Sequence, residues 1–194
     1  HYLIFATKNG LMKKTTLESY SRPRANGIIA LGLREDDRLI RVTLTDGNSQ
    51  MLVASYNGKV VRFPEDTVRP MGRTATGVRA IKLDEDGQDR VIGMICVEEG
   101  SKESVLVISE KGFGKRTDLD DENGEPIYRV TNRGGKGVKT MNLTDKTGNL
   151  IGLEAVTDDQ DLMLITKSGT AIRMAMDTIR VMGRATQGVK LIEL

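Results

Sequence analysis

The chain has 194 residues, 29 of them basic and 27 acidic, a formal charge of +2 and 38% hydrophobic content. No apolar run approaches the roughly 18 residues of a membrane span, and the start His1-Tyr2-Leu3-Ile4 lacks a signal-peptide layout, so a soluble chain is expected. The single histidine is His1, which leaves no internal imidazole for a zinc site or a general base.

In chain order, four near-identical openings divide the sequence. The first repeat, about residues 2–50, opens on Leu3-Ile4-Phe5-Ala6 and turns at Asn9-Gly10. An apolar, β-branched run stopped by Asn-Gly, Lys-Gly or Ser-Gly is a two-residue hairpin signal, because glycine tolerates the positive φ of the turn. The second strand carries Lys13 and Lys14, and a loop then runs to a second glycine, Gly27. Two more strands are expected, at Ile28-Ile29-Ala30-Leu31 and Leu39-Ile40-Arg41-Val42.

The second repeat, about 51–104, repeats the plan: Leu52-Val53-Ala54-Ser55, a turn at Gly58, Arg62 on the return strand, a loop to Gly77, then Val78-Arg79-Ala80-Ile81 and Val91-Ile92-Gly93-Met94. That last run continues to Cys96, the single cysteine, which reads as a buried small hydrophobe in a reducing compartment. The third, about 105–161, has Leu106-Val107-Ile108-Ser109, Gly112, Lys115 and Arg116, Gly137, Val138-Lys139-Thr140-Met141 and Leu150-Ile151-Gly152-Leu153. The fourth, about 162–194, has Leu164-Ile165-Thr166, Gly169, Arg173, Gly188 and Val189-Lys190-Leu191-Ile192. It reaches Leu194 before a fourth strand, so the array is expected to be part of a longer one.

Four-stranded units at this spacing predict an all-β, propeller-like array in one domain, each sheet hiding its faces on its neighbours. Two tandem β-sandwiches would not require four matching glycine registers. No sustained 3.6-residue apolar period occurs, and Asp66–Arg69 is too short for more than one helical turn. Gly112-Phe113-Gly114-Lys115-Arg116-Thr117 lacks the spacing of a phosphate loop and occupies a hairpin slot. Asp118 to Gly124 alternates carboxylates, but without the ligand spacing of a calcium loop, and reads as a solvated insertion. None of the four tyrosines has the company of an acid–base set, so packing roles are expected.

Charge placement says more than net charge. The eight residues before each second glycine, 19–26, 69–76, 129–136 and 180–187, hold nine basic side chains and no acidic one. These loops therefore total +9, and the other 162 residues total 20 − 27 = −7. Repeats place equivalent positions around one rim, so the loops and the hairpin cations Lys14, Arg62, Arg116 and Arg173 are expected to form a basic band suited to a polyanion. Aromatic residues are only 4%, too few to stack unpaired bases, so duplex phosphates are the expected ligand and bending of the duplex the expected consequence.

Val68-Arg69-Pro70-Met71-Gly72-Arg73-Thr74-Ala75-Thr76-Gly77-Val78-Arg79, Met182-Gly183-Arg184-Ala185-Thr186-Gln187-Gly188-Val189 and Gly112-Phe113-Gly114-Lys115-Arg116-Thr117 resemble the C-terminal domain of the A subunit of bacterial DNA gyrase, and the resemblance runs the whole length of the chain. It implies a β-pinwheel of four-stranded blades, four of them here, that wraps duplex DNA on its outer rim in support of negative supercoiling. It implies a non-catalytic domain without a cofactor of its own, ATP and magnesium being used elsewhere in the parent enzyme. The partners it implies are the remainder of the gyrase A subunit, with the B subunit reached through it, in the bacterial cytoplasm at the nucleoid.

The family's box Gln-Arg-Arg-Gly-Gly-Lys-Gly is not intact. The stretch Thr131-Asn132-Arg133-Gly134-Gly135-Lys136-Gly137 keeps five of its seven positions and reads as the equivalent loop of a later blade. The residues expected to meet DNA are Lys13, Lys14, Arg22, Arg24, Arg62, Arg69, Arg73, Arg79, Lys115, Arg116, Arg129, Arg133, Lys136, Lys139, Arg173, Arg180, Arg184 and Lys190. The alternatives are the related domain of topoisomerase IV and a propeller that docks an acidic protein.

Overall fold

The computed structural model describes residues 1–194. Its four hairpins are the predicted ones: β1 (Tyr2–Thr7) with β2 (Leu11–Thr16), β4 (Gln50–Ser55) with β5 (Lys59–Pro64), β8 (Ser104–Ser109) with β9 (Phe113–Asp118), and β12 (Asp161–Ile165) with β13 (Ala171–Ala175). β3 (Leu39–Thr45), β7 (Val91–Val97) and β11 (Leu150–Val156) each pair with the first strand of their own repeat. Helix is confined to three 3-10 turns, at Leu17–Tyr20, Glu65–Thr67 and Met176–Thr178.

The strand after each second glycine goes elsewhere. β6 (Val78–Arg79) pairs with β2, β10 (Val138–Lys139) with β5, and β14 (Val189–Lys190) with β9. Every such strand belongs to the sheet of the preceding repeat, so three sheets have four strands, three from one repeat and one from the next. The fourth sheet contains β12 and β13 alone. The strand expected at Ile28–Leu31 does not form. The outer edge of β2 is taken by β6, no other strand pairs with this stretch, and Ile29 is 62% exposed.

This exchange explains the second glycine. The loop threads so closely behind the preceding sheet that a Cβ on Gly77 would lie 2.2 Å from the Met12 carbonyl oxygen, and one on Gly137 2.4 Å from that of Val60. Gly27, with no sheet behind it, would meet nothing within 4 Å.

Apolar residues pack between successive sheets. Ile4, Ala6 and Met12 of the first sheet meet Met51, Val53, Val61 and Phe63 of the second in one cluster. Leu52, Ala54 and Val60 of the second meet Val105, Val107 and Phe113 of the third in another. A smaller group, Leu106, Val156, Met176 and Ile179, lies under the fourth hairpin. Both faces of an inner hairpin are therefore covered, which sets the fate of any charge carried there. Cys96 lies in this packed zone, its thiol 3.2 Å from the Met51 sulfur, and burial pushes it up to about 12. At that value it is protonated and inert.

Candidate nucleic-acid interface

The hairpin cations sit where a solvent-facing strand position would have put them outside, but a neighbouring sheet covers that face. Lys14 is 4% exposed, 3.5 Å from the Glu65 carboxylate and 4.3 Å from the centre of the Tyr2 ring. Glu65 is wholly buried and also accepts from the Ser49 N–H at 3.0 Å and from the Thr45 hydroxyl. Arg62 is 7% exposed and donates through one guanidinium nitrogen to Asp120 (2.9 Å), the Tyr128 carbonyl (3.0 Å) and the Leu119 carbonyl (3.2 Å). Arg116 donates to Ser104 Oγ (2.8 Å), Asp158 (2.7 Å) and the Met176 carbonyl (3.2 Å).

In all three cases the partners include residues of the next repeat, so these cations staple neighbouring blades. The expectation that Lys14, Arg62 and Arg116 face a polyanion is corrected, because their charges are covered and compensated from within. Arg173, on the uncovered fourth hairpin, remains exposed but is held by Asp161 at 2.7 Å.

Lys13 and Lys115, one residue earlier on β2 and β9, point to the opposite face and are wholly buried. Neither has a carboxylate partner among the ion pairs. Lys13 Nζ donates to the carbonyls of Arg73 (2.6 Å) and Ala30 (2.7 Å), with that of Gly72 at 3.4 Å, and lies 5.0 Å from the Phe5 ring centre. Lys115 Nζ donates to the carbonyls of Gly183 (2.7 Å), Arg184 (2.7 Å) and Thr186 (2.9 Å) and to the Thr186 hydroxyl at 3.0 Å. Burial first, and then the guanidinium of Arg73 or Arg184, holds each ammonium down to about 8. These two residues are also corrected: they lie under the loops, out of a ligand's reach.

The loops themselves are brought side by side by a bond pattern that repeats with the sequence. Arg73 donates to the Ile29 carbonyl (2.7 Å), Arg133 to that of Arg79 (2.8 Å) and Arg184 to that of Lys139 (2.6 Å). Each runs from the residue four before a second glycine to the residue two after the previous one. Backbone bonds run parallel to them, from the Gly32 N–H to Ala75 (3.1 Å), Lys82 to Gly135 (2.8 Å) and Asn142 to Thr186 (3.0 Å). The four loops thus form one laced strip.

Along this strip Arg22, Arg24, Arg69, Arg129, Lys136 and Arg180 are exposed, as are Arg79 and Lys139 just beyond the second glycines. Arg73, Arg133 and Arg184 are half-buried by their lacing. The chain has six ion pairs; four take hairpin cations, and none takes any of the nine loop cations. Lys190 pairs with Glu193 at 2.6 Å. A strip of cations without acidic partners can bind phosphates without first breaking an internal ion pair.

The acids that neutralise the hairpin cations, Glu65, Asp120 and Asp158, are not legible in the sequence, because each is distant along the chain, Glu65 and Asp120 in the next repeat and Asp158 at the far end of the third. Sequence reasoning also missed the lacing. The signal for that is an arginine four places before Gly77, Gly137 and Gly188; Pro23 stands at that place before Gly27.

Comparison with known proteins agrees with this geometry. The family model for the DNA gyrase C-terminal domain, beta-propeller, matches residues 1–46, 50–98, 103–157 and 160–194. The A subunit of DNA gyrase from Staphylococcus aureus strain MRSA252 is 45% identical over all 194 residues, which span 21% of that protein, about a fifth of its length. Among solved structures, the C-terminal domain of DNA topoisomerase IV superposes on 99% of the chain with a TM-score of 0.88 at 25% identity, covering 57% of that chain. A DNA gyrase A C-terminal domain superposes on all of it with a TM-score of 0.84 at 22% identity, covering 61% of that chain. The chain belongs to the DNA gyrase C-terminal domain family.

Proposed function

We propose that this chain is a non-catalytic module that binds duplex DNA along the laced strip of loops and bends it around the rim. The observation that carries the reading is that nine cations lie in acid-free loops joined edge to edge, none spent on an internal ion pair. Successive phosphate contacts along a curved strip favour a bent duplex, since the bend brings further contacts into reach. The contacts are to the backbone, so little sequence preference is expected.

In the parent topoisomerase the module works beside the rest of the gyrase A subunit, through which it meets the B subunit, in the bacterial cytoplasm. There its wrapped DNA supports negative supercoiling, while ATP and magnesium chemistry stay in the other parts.

The test is a topology assay: plasmid is relaxed by a nicking-closing enzyme in the presence of the chain, and the protein is then removed. A shifted distribution of linking numbers is expected. Binding without any shift would leave a DNA-binding strip that does not wrap, and no salt-dependent binding at all would overturn the reading.

A further inference from the structure

Lys13 and Lys115 raise a question that the strip alone does not answer. A wholly buried ammonium without a carboxylate is costly, yet two of the four repeats have one, both under the loop of the following repeat. Their effect on that loop follows from peptide geometry. In a trans peptide the N–H points opposite to the C=O. Lys13 draws the carbonyls of Gly72 and Arg73 inward, so the N–H groups of Arg73 and Thr74 face outward. Lys115 draws in those of Gly183 and Arg184, so the N–H groups of Arg184 and Ala185 face outward. None of these four N–H groups donates a hydrogen bond within the chain. Each pair lies at a tight turn, closed by Ala75 N–H to the Gly72 carbonyl (3.2 Å) or by Thr186 N–H to that of Gly183 (3.3 Å).

The remaining loop supplies the contrast. In the second repeat the place of Lys13 and Lys115 is taken by Val61, which lies opposite Val53 and inside the apolar cluster. The loop that crosses behind it holds Arg133 and Gly134, and the Gly134 N–H, equivalent to those of Thr74 and Ala185, is turned inward onto the Ala80 carbonyl at 2.8 Å. This loop, which lacks the buried cation and has Gly134 at a φ of +86°, does not present the outward pair. That loop has a third cation, Lys136, where the other two have none.

We propose that the paired N–H groups of Arg73 and Thr74, and of Arg184 and Ala185, are two backbone sites for phosphate oxygens of the DNA duplex, each set up by a buried lysine acting as a positioning residue. Consecutive outward N–H groups make a concave donor site for an anion. The ammonium behind them adds positive potential that no internal acid cancels. The proposal rests on the duplex-binding reading above and refines it: loops two and four grip phosphate through backbone, whereas loop three does so through side chains alone.

The experiment follows backbone amide resonances of the 194-residue chain during titration with a short synthetic DNA duplex, with polyglutamate as a carboxylate polyanion control. Duplex is expected to move the amides of Arg73, Thr74, Arg184 and Ala185 downfield, with little change at Gly134. In Lys13→Met the response at Arg73 and Thr74 should vanish while that at Arg184 and Ala185 persists, and duplex affinity should fall by about tenfold, as expected when charge-assisted bonds to one phosphate go. Lys115→Met should give the mirror result.

Three results overturn the proposal: duplex that moves arginine side-chain signals but leaves these four amides still, an equal response at Gly134, or a response to polyglutamate matching that to DNA. No response anywhere, with no binding, would instead sink the duplex reading itself. The wild-type titration decides the matter even if a lysine variant fails to fold.

Discussion

Two sets of cations, close in sequence and alike in composition, have opposite roles. The hairpin set, Lys14, Arg62 and Arg116, is buried between blades and neutralised by Glu65, Asp120 and Asp158. The loop set is acid-free, laced into a strip and unpaired. The difference teaches that in a stacked array the side of a strand is no guide to solvent, because both sides meet a neighbour. A basic residue becomes available where the chain leaves the packed inner hairpins, in the loops and on edge strands such as those of Arg79 and Lys139.

Breaking the hairpin set should have the largest effect. Lys14→Met strands the Glu65 carboxylate inside the protein, and a loss of about 3–5 kcal/mol is expected, read as a fall in the urea midpoint. An equal midpoint would mean that Glu65 has another source of compensation.

The next effect tests the threading of loop behind sheet. Gly77→Ala pushes a Cβ against the Met12 carbonyl, whereas Gly27→Ala meets open space. Both residues have positive φ, +102° and +82°, so each substitution costs about 1–2 kcal/mol for conformation alone. Gly77→Ala should cost clearly more than Gly27→Ala in paired denaturation curves, and equal costs would deny the close approach.

A smaller effect concerns pH. Lys13 and Lys115 are lowered to about 8 in the folded protein from an ordinary 10.5. Between these values the unfolded chain holds more protons, so stability rises with pH and is lost as pH falls through 8. Cys96, raised to about 12 from 9.0, acts oppositely above pH 9. From pH 8 to 9 the lysines dominate, with a gain of about 1 kcal/mol each against about 0.3 kcal/mol lost as the unfolded thiol begins to ionise. In Lys13→Met half of that slope should disappear. The least effect on stability, within about 0.5 kcal/mol, is expected from Arg69→Ala, an exposed loop cation without an ion-pair partner.

What was legible in the sequence follows the range of the forces involved. The hairpins at Gly10, Gly58, Gly112 and Gly169 were readable because turn chemistry and β-branched runs are local signals. The exchange of β6, β10 and β14 was not, since Val-Arg or Val-Lys reads as a strand whichever sheet receives it. For the same reason Ile28–Leu31 reads as a strand although it pairs with no strand in this structure. The loop cations were found because the absence of acids is a property of sequence. Lys14, Arg62 and Arg116 read like them because their acids lie about 40 to 60 residues further along the chain. The buried lysines did leave a trace, a doubled cation at Lys13-Lys14 and Lys115-Arg116 where the second repeat has Val61-Arg62.

The central claim, that the loop cations and not the hairpin cations hold the duplex, is tested most directly by the salt dependence of affinity for long duplex DNA. The measurement compares the wild-type chain with the triple variant Arg69→Ala, Arg129→Ala and Arg180→Ala. If these arginines meet phosphates, the slope of log K against log salt should become shallower by about 3, nearly one for each phosphate no longer neutralised, with the urea midpoint little changed. An unchanged slope in the folded triple variant would contradict the account.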